Sequence, residues 1–231
     1  MVGVIGDIHG CYYTLRDLAA AVRDKYENID IYCVGDIVDR GLHSLPVVSY
    51  CITNNIKVTL GNHDCMFLYA FKYPKHPYFG SWILNGNYET INSYSWEQEK
   101  LREHLNFIDS FPLFYNLEDC FISHAGVSIN YGNVLKDCVN WDNDKWTRFF
   151  ANDINDDIFW NRSKLFNIGK LQVVGHTKYE EVTFDKKSNG LYIDTGACGS
   201  NKLSCVIIEK GKWIDTLSSK TNILDLCQVE F

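Results

Sequence analysis

The nine cysteines include no C-x-x-C pair, and their odd number leaves at least one without an intramolecular partner. No disulfide framework is implied, and reduced thiols in a cytoplasmic setting are expected. No apolar run approaches the roughly 18 residues of a membrane helix. Neither a basic n-region nor an apolar h-region precedes Asp7, so no signal peptide is expected. Basic residues are also scarce: 22 against 29 acidic ones leave a net charge of -7, which repels a phosphate backbone and argues against nucleic acid as a partner. Linker-like stretches and fixed-period repeats are absent. A length of 231 residues with 46% hydrophobic content suffices for one compact domain over 1–231.

What is present is concentrated at the ends of apolar runs. Ile29 to Val34 reads as a buried strand, and Gly35-Asp36-Ile37-Val38-Asp39-Arg40-Gly41 follows it with two carboxylates and a guanidinium in one turn. The pattern recurs: Val4-Ile5-Gly6 leads to Asp7-Ile8-His9-Gly10, Thr59-Leu60-Gly61 to Asn62-His63-Asp64, Phe121-Ile122-Ser123 to His124, and Val173-Val174-Gly175 to His176. Strands lying side by side would bring Asp7, His9, Asp36, Asn62, His124 and His176 to one rim, where such side chains can ligate a metal. In Asp7-x-His9 the two-residue spacing places both side chains on one face of an extended segment.

Between these ends the pattern is α/β. Thr14 is placed to cap a helix with Leu15, Leu18, Ala19 and Val22 on one face, and Ser44 to cap a helix over 44–54. Ile56 to Leu60 supplies a third strand, and the βαβ order implies adjacent parallel strands. Cys65 to Ser110 is aromatic and helical, broken at Lys72 to Pro77; its Trp82, Tyr88, Tyr94 and Trp96 belong either to core or to a substrate groove. Leu113 to Leu117 and Cys120 to His124 read as a hairpin, and Val127 to Asp157 as loop with one short helix. Leu171 to Thr216 supplies short strands around Ser188-Asn189-Gly190 and Lys210-Gly211-Lys212, assigned to a second, mainly antiparallel sheet. The expected fold is two packed mixed β-sheets, a β-sandwich, flanked by helices. His43, His76 and His104 lack chemical context and are expected at the surface.

The ordered motifs Gly6 to Gly10, Gly35 to Gly41, Gly61 to Asp64, His124-Ala125-Gly126 and Gly175-His176-Thr177 resemble those of the phosphoprotein phosphatase branch of the binuclear metallophosphoesterases. The likeness runs from the N-terminus to about Leu203. Trp82-Ile83-Leu84-Asn85-Gly86, Phe159-Trp160-Asn161-Arg162 and Tyr192-Ile193-Asp194-Thr195-Gly196 are similar to segments of the small bacterial and phage phosphatases of that family. The resemblance implies two divalent transition-metal ions: one on Asp7, His9 and Asp36, the other on Asp36, Asn62, His124 and His176, bridged by Asp36. A mixed oxygen and nitrogen set without thiolate suits Mn²⁺, with Fe or Zn²⁺ as alternatives, better than Ca²⁺.

Phosphate monoester hydrolysis needs a strong nucleophile, charge compensation on the phosphoryl oxygens and a proton for the leaving alkoxide. Two ions about 3.5 to 4 Å apart supply a hydroxide and a clamp. Arg40 and Arg162 are the candidates for a bidentate grip on phosphate. His63, beside Asn62, is the candidate general acid with Asp39 orienting it; a third metal ligand or a satisfied buried histidine is the competing assignment. No cysteine has an arginine six positions later, and His9 stands where an Asp-x-Asp nucleophile would have its second acid. Direct attack by metal-bound hydroxide remains.

Leu60 stands where the phosphoprotein phosphatases usually carry arginine, and Asp64 where they mostly carry glutamate. In this, Leu60 to Asp64 looks more like the symmetrical diadenosine tetraphosphatases. The intact Asp39-Arg40-Gly41 and the Trp160 and Ile193 to Gly196 segments favour a serine/threonine protein phosphatase. The expected partner is accordingly a phosphoprotein, alternatively a nucleotide phosphate. A non-catalytic, metal-stabilised regulatory module is disfavoured by the intact His63, Asp39 and Arg40.

Overall fold

The computed structural model describes residues 1–153 and 157–227. Strand β1 (Val2–Ile5) feeds the turn of Asp7 and His9 and then helix α1 (Tyr12–Lys25); β2 (Asp30–Cys33), α2 (Ser44–Thr53), β3 (Lys57–Val58) and α3 (Asn62–Lys72) repeat the unit. β1 pairs with β2, and β2 with β3, in parallel, as the βαβ order requires. Helices α4 (Pro77–Ile83), α5 (Tyr88–Ser93) and α6 (Gln98–Asp109) follow the break at Lys72 to Pro77. Trp82 and Tyr94 enter the core, whereas Tyr88 and Trp96 are exposed.

β4 (Phe114–Asn116) and β5 (Phe121–Ser123) form the expected antiparallel hairpin. The stretch from Val127 onward carries more helix than its Asn- and Asp-rich composition suggests: two 3₁₀ turns, α7 (Asn143–Asp153) and the short α8 (Asp157–Trp160). The apolar triad Trp146, Phe149 and Phe150, at i, i+3 and i+4, buries against Phe121 and outweighs the polar majority. The part of that reading at residues 154–156 lies outside the described residues.

β6 (Gln172–Val174), β7 (Thr183–Asp185), β8 (Gly190–Tyr192), β9 (Lys202–Glu209) and β10 (Lys212–Lys220) complete two five-stranded sheets, ordered β10-β9-β1-β2-β3 and β4-β5-β6-β8-β7. The architecture is two mixed sheets flanked by helices. The assignment of all the late strands to the second sheet is corrected: β9 and β10 cross back to the first, where β9 pairs antiparallel with β1. β9 is apolar on both faces, so it needs cover on both sides: Val206 and Ile208 join Val4, Ile122 and Val173 between the sheets, while Cys205 and Ile207 join Ile5, Leu15 and Leu18 under α1. The second sheet is not mainly antiparallel either, since β5–β6 and β6–β8 are parallel.

Neither predicted cap holds. Helix α1 begins at Tyr12, and the Thr14 hydroxyl donates to Asp225. Ser44 is already helical, and its hydroxyl accepts the Asp39 N–H. His104, expected at the surface, is fully buried between Tyr94 OH (2.7 Å) and Ser49 Oγ (3.2 Å). His43 is half-buried, and only His76 is exposed as expected.

Candidate metal centre

The five ligand-bearing turns leave strands of both sheets, β1, β2 and β3 from one and β5 and β6 from the other, and converge where the sheets meet. The small residue before each ligand has a steric reason. A β-carbon at Gly61 would overlap Asp36 Oδ1, and one at Gly175 would overlap Asp7 Oδ1, so glycine lets one turn press against the carboxylate of the next. Five of the eleven non-glycine residues with positive φ among the described residues lie here: His9 (46°), Asp36 (52°), Asp39 (70°), Arg40 (70°) and His176 (62°). Left-handed backbone at ordinary residues is strained and must be held by its surroundings. Asp7 and His9 thus converge through a turn, because the extended geometry expected for Asp7-x-His9 ends before His9.

Asp7, His9, Asp36, Asn62, His124 and His176 are all buried. The ligand atoms of Asp36, His124 and His176 lie within 4.8 Å of one another, as do those of His9, Asp36 and His63, so Asp36 is common to both groups. His63 completes the compact group around His9, while both oxygens of Asp7 accept the His176 backbone N–H at 3.2 and 3.1 Å.

The hydrogen bonds set which lone pairs face the centre. His124 donates Nδ1–H to the Val34 carbonyl (2.9 Å), leaving Nε2 towards Asn62 Oδ1 (2.9 Å), His176 Nδ1 (3.2 Å) and Asp36 Oδ2 (3.4 Å). Asn62 Oδ1 is also 2.9 Å from His176 Nδ1. Lone pairs this close repel unless a cation lies among them. His9 likewise donates Nδ1–H to the Val38 carbonyl and turns Nε2 towards Asp36 Oδ2 at 3.6 Å. His176 Nε2 is buried without a hydrogen-bond partner among the described residues. These donors fit divalent metal ions.

The titration behaviour expresses the same demand for positive charge. Burial works against a charged His124, yet Asp36, followed by Asp7, lifts its pKa to about 9. Burial would raise Asp36, but His124, His63 and His9 together hold it well below the carboxylate range. Asp7 is raised by burial and by the charge of Asp194. His176 is pushed down to about 3 by burial and by His124, with the Arg162 charge contributing.

Within the group it shares with His9 and Asp36, His63 also has Nδ1 2.7 Å from Asp39 Oδ2. Asp39 is fully buried and also accepts Trp82 Nε1–H (3.0 and 3.1 Å) and the Thr90 hydroxyl (2.7 Å). Burial raises its pKa against these bonds. The Arg40 guanidinium spans two imidazoles, with Nη1 2.9 Å from His9 Nε2 and Nη2 2.9 Å from His63 Nε2. Arg162 is exposed and makes no hydrogen bond or ion pair among the described residues.

Sequence reasoning missed the residues that support this centre. Asp64 Oδ2 accepts the N–H of Asp36 (2.7 Å) and Gly61 (3.1 Å), and Oδ1 that of Ile37 (3.0 Å). Burial and the Asp36 charge raise its pKa to about 7. A signal existed: Gly61 to Asp64 has the spacing of a helix capping box. Trp82 and Thr90, which hold Asp39, come from a distant helical stretch; the likeness of Trp82 to Gly86 to family segments marked Trp82 but not its partner, and Thr90 carries no local signature.

The sequence pattern of the family described as calcineurin-like phosphoesterase matches residues 1–198. The chain is a calcineurin-like phosphoesterase. It is thus a metallophosphoesterase hydrolase of a family that binds divalent metals, with phosphoesters as substrates. This phosphoesterase is 27% identical over 222 residues to serine/threonine-protein phosphatase 2 of Salmonella typhimurium, covering 88% of this chain and 90% of that one. It is 39% identical over 70 residues to the symmetrical bis(5'-nucleosyl)-tetraphosphatase of Erwinia tasmaniensis, covering 29% of this chain and 26% of that one. A solved structure described as that of a candidate diadenosine tetraphosphatase superposes with a TM-score of 0.65 at 18% identity, covering 96% of this chain and 94% of the other, which establishes the shared fold. No helix among the described residues is long and apolar enough to cross a membrane.

Proposed function

We propose that this phosphoesterase is a cytoplasmic serine/threonine protein phosphatase, acting as one domain over 1–231. The carrying observation is the His63–Asp39 pair, 2.7 Å apart, with His63 Nε2 turned to the Arg40 fork at the edge of the metal groups. A serine alkoxide leaves only if it is protonated in the transition state, and this pair is built to protonate it. Asp39 takes the hydrogen bond from Nδ1 and fixes the ring, which leaves Nε2 as the atom from which a proton would pass to the leaving oxygen. Incoming phosphate draws the Arg40 fork off the two imidazoles, and Arg162 closes on the same anion from the His176 side.

Asp7, His9 and Asp36 would hold one metal ion, and Asp36, Asn62, His124 and His176 a second, with Mn²⁺ the best fit to the donors. When bound, such ions neutralise phosphoryl charge and lower the pKa of water. The relative matching 88% of the chain is named a serine/threonine phosphatase, which supports this reading. A symmetrical diadenosine tetraphosphate hydrolase is the second reading, favoured by Leu60 and Asp64 around Gly61-Asn62-His63 and by the shorter, 39% identical match. Side-by-side turnover of a phosphoserine peptide and diadenosine tetraphosphate decides: faster turnover of the peptide is expected, and much faster cleavage of the dinucleotide transfers the assignment to the second reading.

A further inference from the structure

The segment after β10 lies beyond the span matched by the family, yet it ties together the turns that carry the site. Asp225 is fully buried and accepts the N–H of Tyr13 (2.9 Å) through Oδ1, and the N–H (2.9 Å) and hydroxyl (2.6 Å) of Thr14 through Oδ2. These groups open α1, directly after the His9 turn. The carbonyl of Asp225 accepts the N–H of Leu42, two residues after Arg40, at 3.1 Å. The Leu224 carbonyl accepts His43 Nε2–H at 2.7 Å, and Thr221 Oγ1 donates to Ala197 O at 2.7 Å in the loop that follows Asp194.

We propose that residues 221–226, centred on Asp225, are a positioning element that holds the Arg40 turn in register with the His9 turn. The inference rests on Arg40 being the phosphate grip. Arg40 and His9 are both left-handed, at φ 70° and 46°, and such backbone keeps its shape only while its neighbours over-determine it. Local bonds do part of this: Arg40 N–H reaches the Gly86 carbonyl and Gly41 N–H the His9 carbonyl, each at 3.0 Å. Asp225 adds a hydrogen-bonded bridge between the two sides, since its carboxylate holds the chain after His9 and its own carbonyl the chain after Arg40. Without it, the guanidinium need not meet His9 and His63 at the distances it now keeps, and displacement of a binding group by about 1 Å can cost up to about 10²-fold in rate.

The test uses the metal-loaded full chain and orthophosphate as the probe. Asp225→Asn should weaken competitive inhibition by orthophosphate and lower kcat/KM on an aryl phosphate, each by about tenfold, with metal content unchanged. His43→Ala should shift both in the same direction, and His43→Gln should restore them, because its amide N–H can again donate to Leu224. His104→Gln, a perturbation of the distant buried histidine, should leave orthophosphate inhibition unchanged, which separates positioning from general loss of stability. If Asp225→Asn does not fold, the His43 pair decides. Where Arg40→Ala weakens orthophosphate inhibition but Asp225→Asn and His43→Ala do not, the positioning role is overturned alone. Where Arg40→Ala itself has no effect, the phosphate-grip reading falls and takes the inference with it.

Discussion

Asp64 holds Asp36 in place through its backbone: the Asp64 carboxylate accepts the Asp36 N–H at 2.7 Å and the Ile37 N–H at 3.0 Å, and Asp36 keeps a left-handed φ of 52°. Asp36 belongs to both metal groups, so Asp64 acts on both at one remove.

Asp64→Ala should therefore lower the affinity of both metal sites by roughly 10- to 100-fold, as is usual for groups that orient a ligand. Asp36→Asn should weaken both more strongly. Competition against a chelator with elemental analysis measures this; wild-type affinity in Asp64→Ala would show that the Asp36 turn holds itself.

His63 should be tested by leaving group. His63→Asn is expected to lower turnover of a phosphoserine peptide by roughly 10² to 10⁴, and that of an activated aryl phosphate much less, with metals retained. Asp39→Asn should show the same selectivity in weaker form. Equal losses on the two substrates would make His63 a positioning group or a metal ligand, and its place beside His9 and Asp36 permits the latter.

Arg162 is exposed and without a hydrogen-bond partner among the described residues, so its role depends on substrate. Arg162→Ala should lower kcat/KM by on the order of 10² with metal content unchanged, since it removes a charge-assisted contact to the phosphoryl group. Wild-type kinetics would make it a solvated surface residue.

His104 gives a pH dependence separable from the metal centre. Burial pushes its pKa down to about 4, whereas the unfolded chain titrates near 6.5. Between these values the unfolded state binds a proton that the folded state refuses, so stability falls as pH falls, by on the order of 1 kcal/mol per pH unit. His104→Gln lacks this loss. Urea unfolding at pH 7 and pH 5 should show the stability advantage of wild type over His104→Gln shrinking at the lower pH; a gap independent of pH would mean that His104 accepts its proton in the fold.

Much of the centre was legible along the chain. Each apolar run ends in a small residue followed by a ligand-type side chain, and strand burial and close backbone approach are local requirements that leave local marks. The buried positions Asp7, Asp36, Asn62, His124 and His176 could be named for that reason. The uninterrupted apolar run of β1 likewise calls for cover on both faces, and Val4 and Ile5 bury on opposite sides.

Tertiary structure decided what depends on partners far apart in sequence. β9 joined the first sheet because a strand apolar on both faces must be covered on both, and α1 and the second sheet offered that cover. Thr14 and Ser44 look like caps, but Asp225 and Asp39 claim their hydroxyls. His104 looks like a surface residue until α2 and α5 close over it with Ser49 and Tyr94. The left-handed turns at Asp36, Asp39 and Arg40 are held by Asp64, Thr90 and Gly86. A strained backbone is stable only when contacts from elsewhere outweigh its cost, and a hydrogen bond between residues dozens of positions apart leaves no periodic trace in either segment.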